Sequence, residues 1–236
     1  MKITTTVLTL AAIAGAAHAD IIAYTGFENG QASGDAYIDL DYTTDHILVN
    51  NPGQVQVSYA YAGTEMGFDA YYRSTGGIGF SDGDFVGFDG PDTYSDSQYY
   101  NMNDTDGIMG LQFDTVTATS LTSVSIDIRL NETTWETPDD GIHIWAVVDG
   151  GIQVDLINTF GLDIDDDFPE LEGVWTTITA DLTGYTTMQL FVEVDSDFNS
   201  ESIRLDNVEV LGTVPTPGSI ALLGLGGLVA GRRRRA

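Results

Sequence analysis

Apolar side chains recur at every second position in several stretches of the chain, and no stretch shows the spacing of a long amphipathic helix. The alternation is clear at Val55, Val57 and Tyr59, along residues 124–130, and along residues 188–194. Side chains at every second position of a strand point to the same face of a sheet, so this pattern predicts half-buried strands.

Clusters of Gly, Asp, Asn and Pro separate the predicted strands and indicate turns. Asp149-Gly150-Gly151 lies between apolar runs at 142–148 and 152–157, which predicts a hairpin. Ten or more short strands without crossover helices favour one all-β antiparallel β-sandwich, a jelly roll.

The last predicted strand contains an irregularity. Ile203 and Leu205 occupy odd positions, whereas Val208 and Val210 occupy even ones. A one-residue shift within a strand is typical of a β-bulge, which redirects side chains. The sequence therefore predicts a bulge at Asp206-Asn207.

The first residues have the layout of a secretory signal peptide. Lys2 precedes an apolar run at 7–15, and Ala17-His18-Ala19 supplies a small-x-small cleavage motif. We therefore expect residues 1–19 to be a signal peptide and residues 20–212 to form the β-sandwich domain.

The last residues, 213–236, form a separate segment. Val214, Pro215, Thr216 and Pro217 precede an apolar, Gly-rich run of 14 residues, which is shorter than the roughly 20 residues that span a bilayer. Four arginines follow: Arg232, Arg233, Arg234 and Arg235. This order resembles the PEP-CTERM sorting signal, although that family usually carries Glu at the position of Thr216. The resemblance implies processing by an exosortase, transient membrane association of the tail, and a final location at the cell surface or in the extracellular matrix of a Gram-negative bacterium.

The predicted domain is strongly acidic. All 36 Asp and Glu residues lie within it, against only Arg73, Arg129 and Arg204, which gives 3 − 36 = −33. Nucleic-acid binding depends on Lys and Arg that neutralise phosphates, so the charge argues against nucleic-acid partners. The chain has no cysteine, and its hydrophobic fraction of 42% argues against disorder.

Two short motifs, Phe27-Glu28-Asn29-Gly30 and residues 203–208 around Asp206, resemble the first and last strands of galactose-binding-like jelly rolls, the fold of many carbohydrate-binding modules. In those families acidic residues from these strands often hold a structural calcium ion. The resemblance implies that Glu28 and Asp206 are calcium ligands, and carboxylate oxygens are ligands that calcium prefers.

Aromatic residues in turn-rich stretches are candidates for stacking on the faces of sugars. The four that we select are Trp135, Tyr99, Tyr100 and Tyr94. Trp145 and Trp175 lie in predicted strands, so we expect them to belong to the core.

Catalytic chemistry has weaker support in the sequence. Glu132 and Glu136 bracket Trp135 in the manner of a glycosidase carboxylate pair, but such pairs arise by chance among 36 acidic residues. His46 and His143 are too few for a catalytic zinc site, which normally has three protein ligands. We therefore expect a non-catalytic exported protein that binds calcium and polysaccharide. The alternatives are an acidic structural or adhesive matrix protein without a glycan site, and a carbohydrate-active hydrolase.

Overall fold

The computed structural model describes residues 19–28, 34–41, 45–60, 65–73, 85–91, 98–105, 107–131, 135, 140–198 and 200–214. These residues contain thirteen strands: β1 (Asp20–Thr25), β2 (Asp45–Ile47), β3 (Phe68–Arg73), β4 (Phe85–Asp89), β5 (Tyr99–Asn103), β6 (Ile108–Phe113), β7 (Val116–Thr117), β8 (Ser120–Asn131), β9 (Gly141–Val148), β10 (Ile152–Asn158), β11 (Thr176–Asp181), β12 (Thr187–Asp195) and β13 (Ser202–Thr213). A four-residue helix, α1 (Ile164–Asp167), and a 3-10 turn, Pro169–Leu171, connect β10 to β11.

The strands form two antiparallel sheets. Sheet A has the order β11-β8-β13-β5-β4, with β1 also paired to β13; sheet B has the order β10-β9-β12-β6-β3-β2, with β7 also paired to β12. The chain crosses between the two sheets repeatedly, in the manner of a jelly roll. The predicted all-β sandwich is therefore confirmed.

The core lies between the two sheets and contains a cluster of five buried rings. Their centroids lie 5.4–6.4 Å apart and their planes are tilted or perpendicular, the arrangement that aromatic pairs prefer. The five are Phe27, Phe68, Phe88, Tyr100 and Phe113. Because these rings come from both sheets, the cluster joins the two layers.

The predicted hairpin and the predicted bulge are both present. β9 and β10 pair in antiparallel register around the turn at Asp149. The register between β13 and β8 shifts between Asp206 and Glu209, and Asn207 has a φ of 46°. Asn is among the residues that tolerate this left-handed conformation best.

Two predicted strands have different boundaries in the structure. Val55 and Val57 are buried as their alternation predicts, but their segment forms only isolated bridges outside the named strands. The N–H of Val57 bonds to the side chain of Asn50 at 2.8 Å, so a side chain replaces a strand partner there. β1 ends at Thr25, so Phe27 and Glu28 follow the first strand instead of lying on it.

The predicted signal peptide at 1–19 and the predicted sorting segment at 213–236 lie almost entirely outside the described residues. No helix within the described ranges is long and apolar enough to cross a membrane.

Candidate ligand-binding face

The outer face of sheet B carries large aromatic side chains where a solvent-facing surface is normally polar. Tyr71 on β3, Trp145 on β9 and Phe191 on β12 point away from the core, because their strand neighbours on both sides are buried. All three rings are only partly buried. Partly exposed aromatic rings that lie together on the outer face of a sheet are candidates for a ligand-binding surface.

Three rings stand in a row across β9 and β12. His143 stacks on Trp145 with centroids 4.2 Å apart, and Trp145 stacks on Phe191 with centroids 5.2 Å apart and an interplanar angle of 10°. Phe191 lies opposite Trp145 on one neighbouring strand and opposite Gln112 on the other. One face of Phe191 is therefore covered by Trp145, and its other side borders the next strand.

Tyr71 forms the opposite side of this surface. It is paired in register with Gly110, and a Cβ atom at that glycine would collide with the Tyr71 ring. The Tyr71 hydroxyl donates a hydrogen bond of 2.6 Å to Glu193, and Arg73 forms an ion pair with the same carboxylate. Burial and the bonded Glu193 raise the pKa of Tyr71, so the phenol stays protonated and fixed.

The space between Phe191 and Tyr71 is an open groove of about 340 Å³, which we call the outer-face groove. Its walls combine aromatic rings with the polar side chains of Gln112, Arg73 and Asp45. Ligand sites typically have such apolar walls with a few polar groups that fix orientation.

A second depression, the edge pocket, lies beside the outer-face groove. It measures about 250 Å³ and is lined by Tyr37, Asp39, Leu40, Asp41, His46, Ile47, Val49 and Asn51. His46 and Ile47 line both depressions, so the two adjoin at the short edge strand β2. Asp39 is 1% exposed, and Nε2 of His46 lies 3.1 Å from its Oδ1 atom.

The structure corrects the expectation that Trp135, Tyr99 and Tyr100 are exposed sugar-stacking residues. All three are buried, with exposed fractions of 0%, 2% and 0%. Tyr100 belongs to the aromatic core, and its hydroxyl donates to the carbonyl of Val57.

Tyr99 points to the other face of β5, where its ring is covered. The Arg204 guanidinium lies 5.0 Å from the ring centroid, and Trp175 packs against it edge to face. A buried ring has no free face for a sugar, so these residues are removed from the candidate site. Tyr94 lies outside the described residues.

Glu28 and Asp206 lie close enough to interact electrostatically. Asp206 is 6% exposed, and its pKa is raised to about 7 above all by burial. The N–H of Asn207 opposes this shift, and the charges of Glu28 and Asp127 add to it. A buried carboxylate between two like charges would be stabilised by a cation, and the donors are the hard oxygens that calcium takes.

These residues therefore fit calcium chemically, although they do not by themselves form a complete site. Within the described ranges no group of three or more His, Cys, Asp or Glu side chains is arranged to hold a metal ion. Carbonyl oxygens and water molecules are among the ligands that calcium takes in addition to carboxylates.

Some of the remaining candidate residues lie within the described residues and the others lie outside them. His46 and His143 lie in strands, and each forms a hydrogen bond with a carboxylate. Val214 is described and is 54% exposed. Pro215, Pro217 and Arg232 to Arg235 lie outside the described residues, as do Glu132 and Glu136.

Trp145 and Phe191 were missed as surface residues, although the sequence contains the signal. Met188, Leu190 and Val192 are the inward positions of β12, so Phe191 belongs to the outward set. Likewise Trp145 alternates with Ile144 and Ala146, both of which are buried. An aromatic residue at the outward positions of a strand, where polar residues are usual, indicates a ring on the surface.

No protein-family model matches this chain, and no curated protein matches it. Among solved structures, the chain is similar to the K3 cleaved adhesin domain of Lys-gingipain from Porphyromonas gingivalis, at 15% identity and a TM-score of 0.35, over 81% of this chain and 98% of that chain. The CBM22-1 xylan-binding domain from Paenibacillus barcinonensis matches at 13% identity and a TM-score of 0.29. This match covers 85% of this chain and 100% of that chain. A cyclase from Fischerella sp. TAU matches at 11% identity and a TM-score of 0.36. This match covers 84% of this chain and 100% of that chain. These neighbours are an adhesin domain, a xylan-binding domain and a cyclase.

Proposed function

We propose that this protein is a non-catalytic, exported glycan-binding protein whose binding site is the outer-face groove of sheet B. The observation that carries the proposal is the outward row of stacked rings ending at Phe191, beside a groove with polar groups. Apolar faces of sugar rings pack on aromatic side chains, while amide and charged groups address the hydroxyls.

The geometry of the groove supports a rigid binding surface. Tyr71, Arg73 and Glu193 hold one another in place by the hydrogen bond and ion pair described above. Phe191 is supported from behind by Trp145. Side chains that are already fixed lose little conformational entropy when a ligand binds.

We also propose the cellular setting that the two ends of the sequence imply. Residues 1–19 direct export, and residues 213–236 are processed by an exosortase-type enzyme, which leaves residues 20–212 at the cell surface or in the matrix. An extracellular polysaccharide is the ligand class that this location offers. Mass spectrometry of the mature protein from a host that makes an exosortase checks both cleavages.

Structural calcium at Glu28 and Asp206 completes the proposal. Calcium supplies positive charge beside the buried carboxylate of Asp206, where Glu28 and Asp127 otherwise add only negative charge. In this role the ion stabilises the fold and has no part in contacting the glycan.

The test of the glycan site is a binding measurement on the mature domain with the variant Phe191→Ala. Screening a panel of soluble polysaccharides first identifies a ligand, and isothermal titration then gives Kd. Loss of one stacking ring weakens binding by about threefold to tenfold. Phe198→Ala is the matched control, because Phe198 is 64% exposed and belongs to neither depression.

Equal loss of affinity in both variants would place the glycan elsewhere. Failure of every polysaccharide to bind would favour the alternative, an acidic structural protein without a glycan site. Release of reducing ends during the titration would instead show hydrolase activity.

A further inference from the structure

The edge pocket is lined by groups that accept hydrogen bonds and carry negative charge. Asp39 and Asp41 contribute two carboxylates, and the N–H at Nε2 of His46 is already used by Asp39. Nε2 also lies 3.1 Å from the second carboxylate oxygen, Oδ2, but Oδ2 accepts no hydrogen bond from the described residues. A buried carboxylate oxygen without a donor is costly unless a ligand or solvent supplies one.

The adjoining outer-face groove does not compensate this negative charge. Among the described residues that line the two depressions, Arg73 is the single Lys or Arg, and it forms an ion pair with Glu193. Asp45 adds a further carboxylate at the junction of the two depressions. Among the described residues, the combined surface therefore carries three carboxylates and one guanidinium group.

We infer that the glycan bound by this protein carries free amino groups, and that the edge pocket receives one of them as an ammonium group against Asp39 and Asp41. This inference rests on the proposed function, because the sugar backbone occupies the outer-face groove. An ammonium group brings one positive charge and three donors, which match the two carboxylates that line the edge pocket. Uronate or phosphate groups would be repelled by the same carboxylates and by the net charge of the domain.

The rim of the edge pocket is aliphatic and fits the ring carbons of a sugar that carries the amine. Leu40, Ile47 and Val49 are exposed by 65%, 51% and 67%. Ile47 also lines the outer-face groove, so a chain lying in that groove reaches the pocket by crossing the edge strand β2. The class of ligand is thus a polymer of amino sugars that are at least partly free of N-acetyl groups.

The test compares oligosaccharides of equal length that carry positive, neutral or negative substituents. Isothermal titration of the mature domain uses a glucosamine oligomer, its fully N-acetylated form and a glucuronate-containing oligomer, at a pH where the amine is protonated. We expect the glucosamine oligomer to bind most tightly and to lose affinity with added salt. Tighter binding of the acetylated or the glucuronate form would overturn the inference.

Charge-removing variants locate the ammonium group. Asp39→Asn is expected to weaken glucosamine binding by about tenfold or more. Asp41→Asn, at an exposed position that leaves the core intact, weakens it by about two- to fivefold. Asp167→Asn, an exposed acid on α1, is the control with the same change in net charge. Equal effects of Asp41→Asn and Asp167→Asn would show that only net charge matters and would contradict the inference.

The design separates the two proposals. If the acetylated oligomer binds as well as the free amine, and Phe191→Ala weakens both, the glycan site stands and the amine preference fails. If neither these oligosaccharides nor any polysaccharide of the screening panel binds, the proposed function fails together with the inference. An oligolysine peptide that binds while every oligosaccharide fails would overturn the choice of a glycan as the amine carrier.

Discussion

Gly110 determines where one wall of the outer-face groove lies. Because it has no Cβ, the Tyr71 ring can rest over β6 and reach Glu193. We predict that Gly110→Ala displaces Tyr71 and costs about 1–3 kcal/mol of unfolding free energy, the usual range for overpacking. Urea unfolding checks the value.

A double-mutant cycle assigns this cost to the collision. In a Tyr71→Ala background the ring is absent, so adding Gly110→Ala should cost almost nothing. Equal costs of Gly110→Ala with and without the Tyr71 ring would contradict the geometry.

Asp206 is where calcium should affect stability. We predict that calcium raises the free energy of unfolding of the mature domain by about 2.7 kcal/mol at a free concentration of about one hundred times Kd. Asp206→Asn should lose most of this gain. In EDTA the same variant should be at least as stable as the wild type, because the amide removes a buried charge beside Glu28 and Asp127.

Thermal unfolding with calcium and with EDTA measures both effects. Asp167→Asn on the exposed helix α1 controls for the change in net charge. A wild-type protein that calcium does not stabilise, or an Asp206→Asn variant that gains as much as the wild type, would remove this site from consideration.

The alternation of a strand contains the direction of each of its residues, although Trp145 and Phe191 were missed there, whereas a turn contains no such signal. The turn-rich stretch around Trp135 predicts an exposed ring, but its carbonyl accepts the N–H of Ile164 and its ring is buried. Only the tertiary structure brings these two segments together. In contrast, the direction of Phe191 follows from the residues beside it on β12.

At the scale of elements, the bulge in β13 is the feature that the sequence located best. The shift of apolar positions after Leu205 indicates an extra residue, and the structure places it at Asn207 with a φ of 46°. The alternation at Val55 and Val57 reflects burial of their side chains and not a regular strand. Their side chains are buried, but their backbone bonds go to Asn50 and Asp35, so burial alone did not produce a regular strand.

The left-handed conformation of Asn207 gives a prediction for the whole strand. We expect Asn207→Val to cost about 1–2 kcal/mol of unfolding free energy relative to Asn207→Gly, because a Cβ is unfavourable at positive φ. Both variants lose the hydrogen bond from Asn207 to Asp127, so the comparison isolates the backbone. Urea unfolding of the pair measures the difference, and equal stabilities would contradict the left-handed assignment.

The whole domain combines a sandwich core with a charge of −33, and the sequence predicted both properties because each depends on patterns that run through the entire chain. The arrangement of the two depressions could not be predicted in this way. β2 and β3 are neighbours in sheet B, but the position of Asp39 beside His46 depends on the loop that precedes β2.

The charge of the whole domain leads to a prediction about salt. Carboxylates that repel one another in the compact state are screened as salt is added, because the Debye length falls from about 30 Å at about 0.01 M to about 10 Å at about 0.1 M. We expect the melting temperature of the calcium-free domain to rise over this range of sodium chloride. Calcium at matched ionic strength should raise it further, since specific binding adds to screening. Scanning calorimetry measures both changes, and a melting temperature that falls or stays constant with added salt would show that self-repulsion does not limit the stability of this fold.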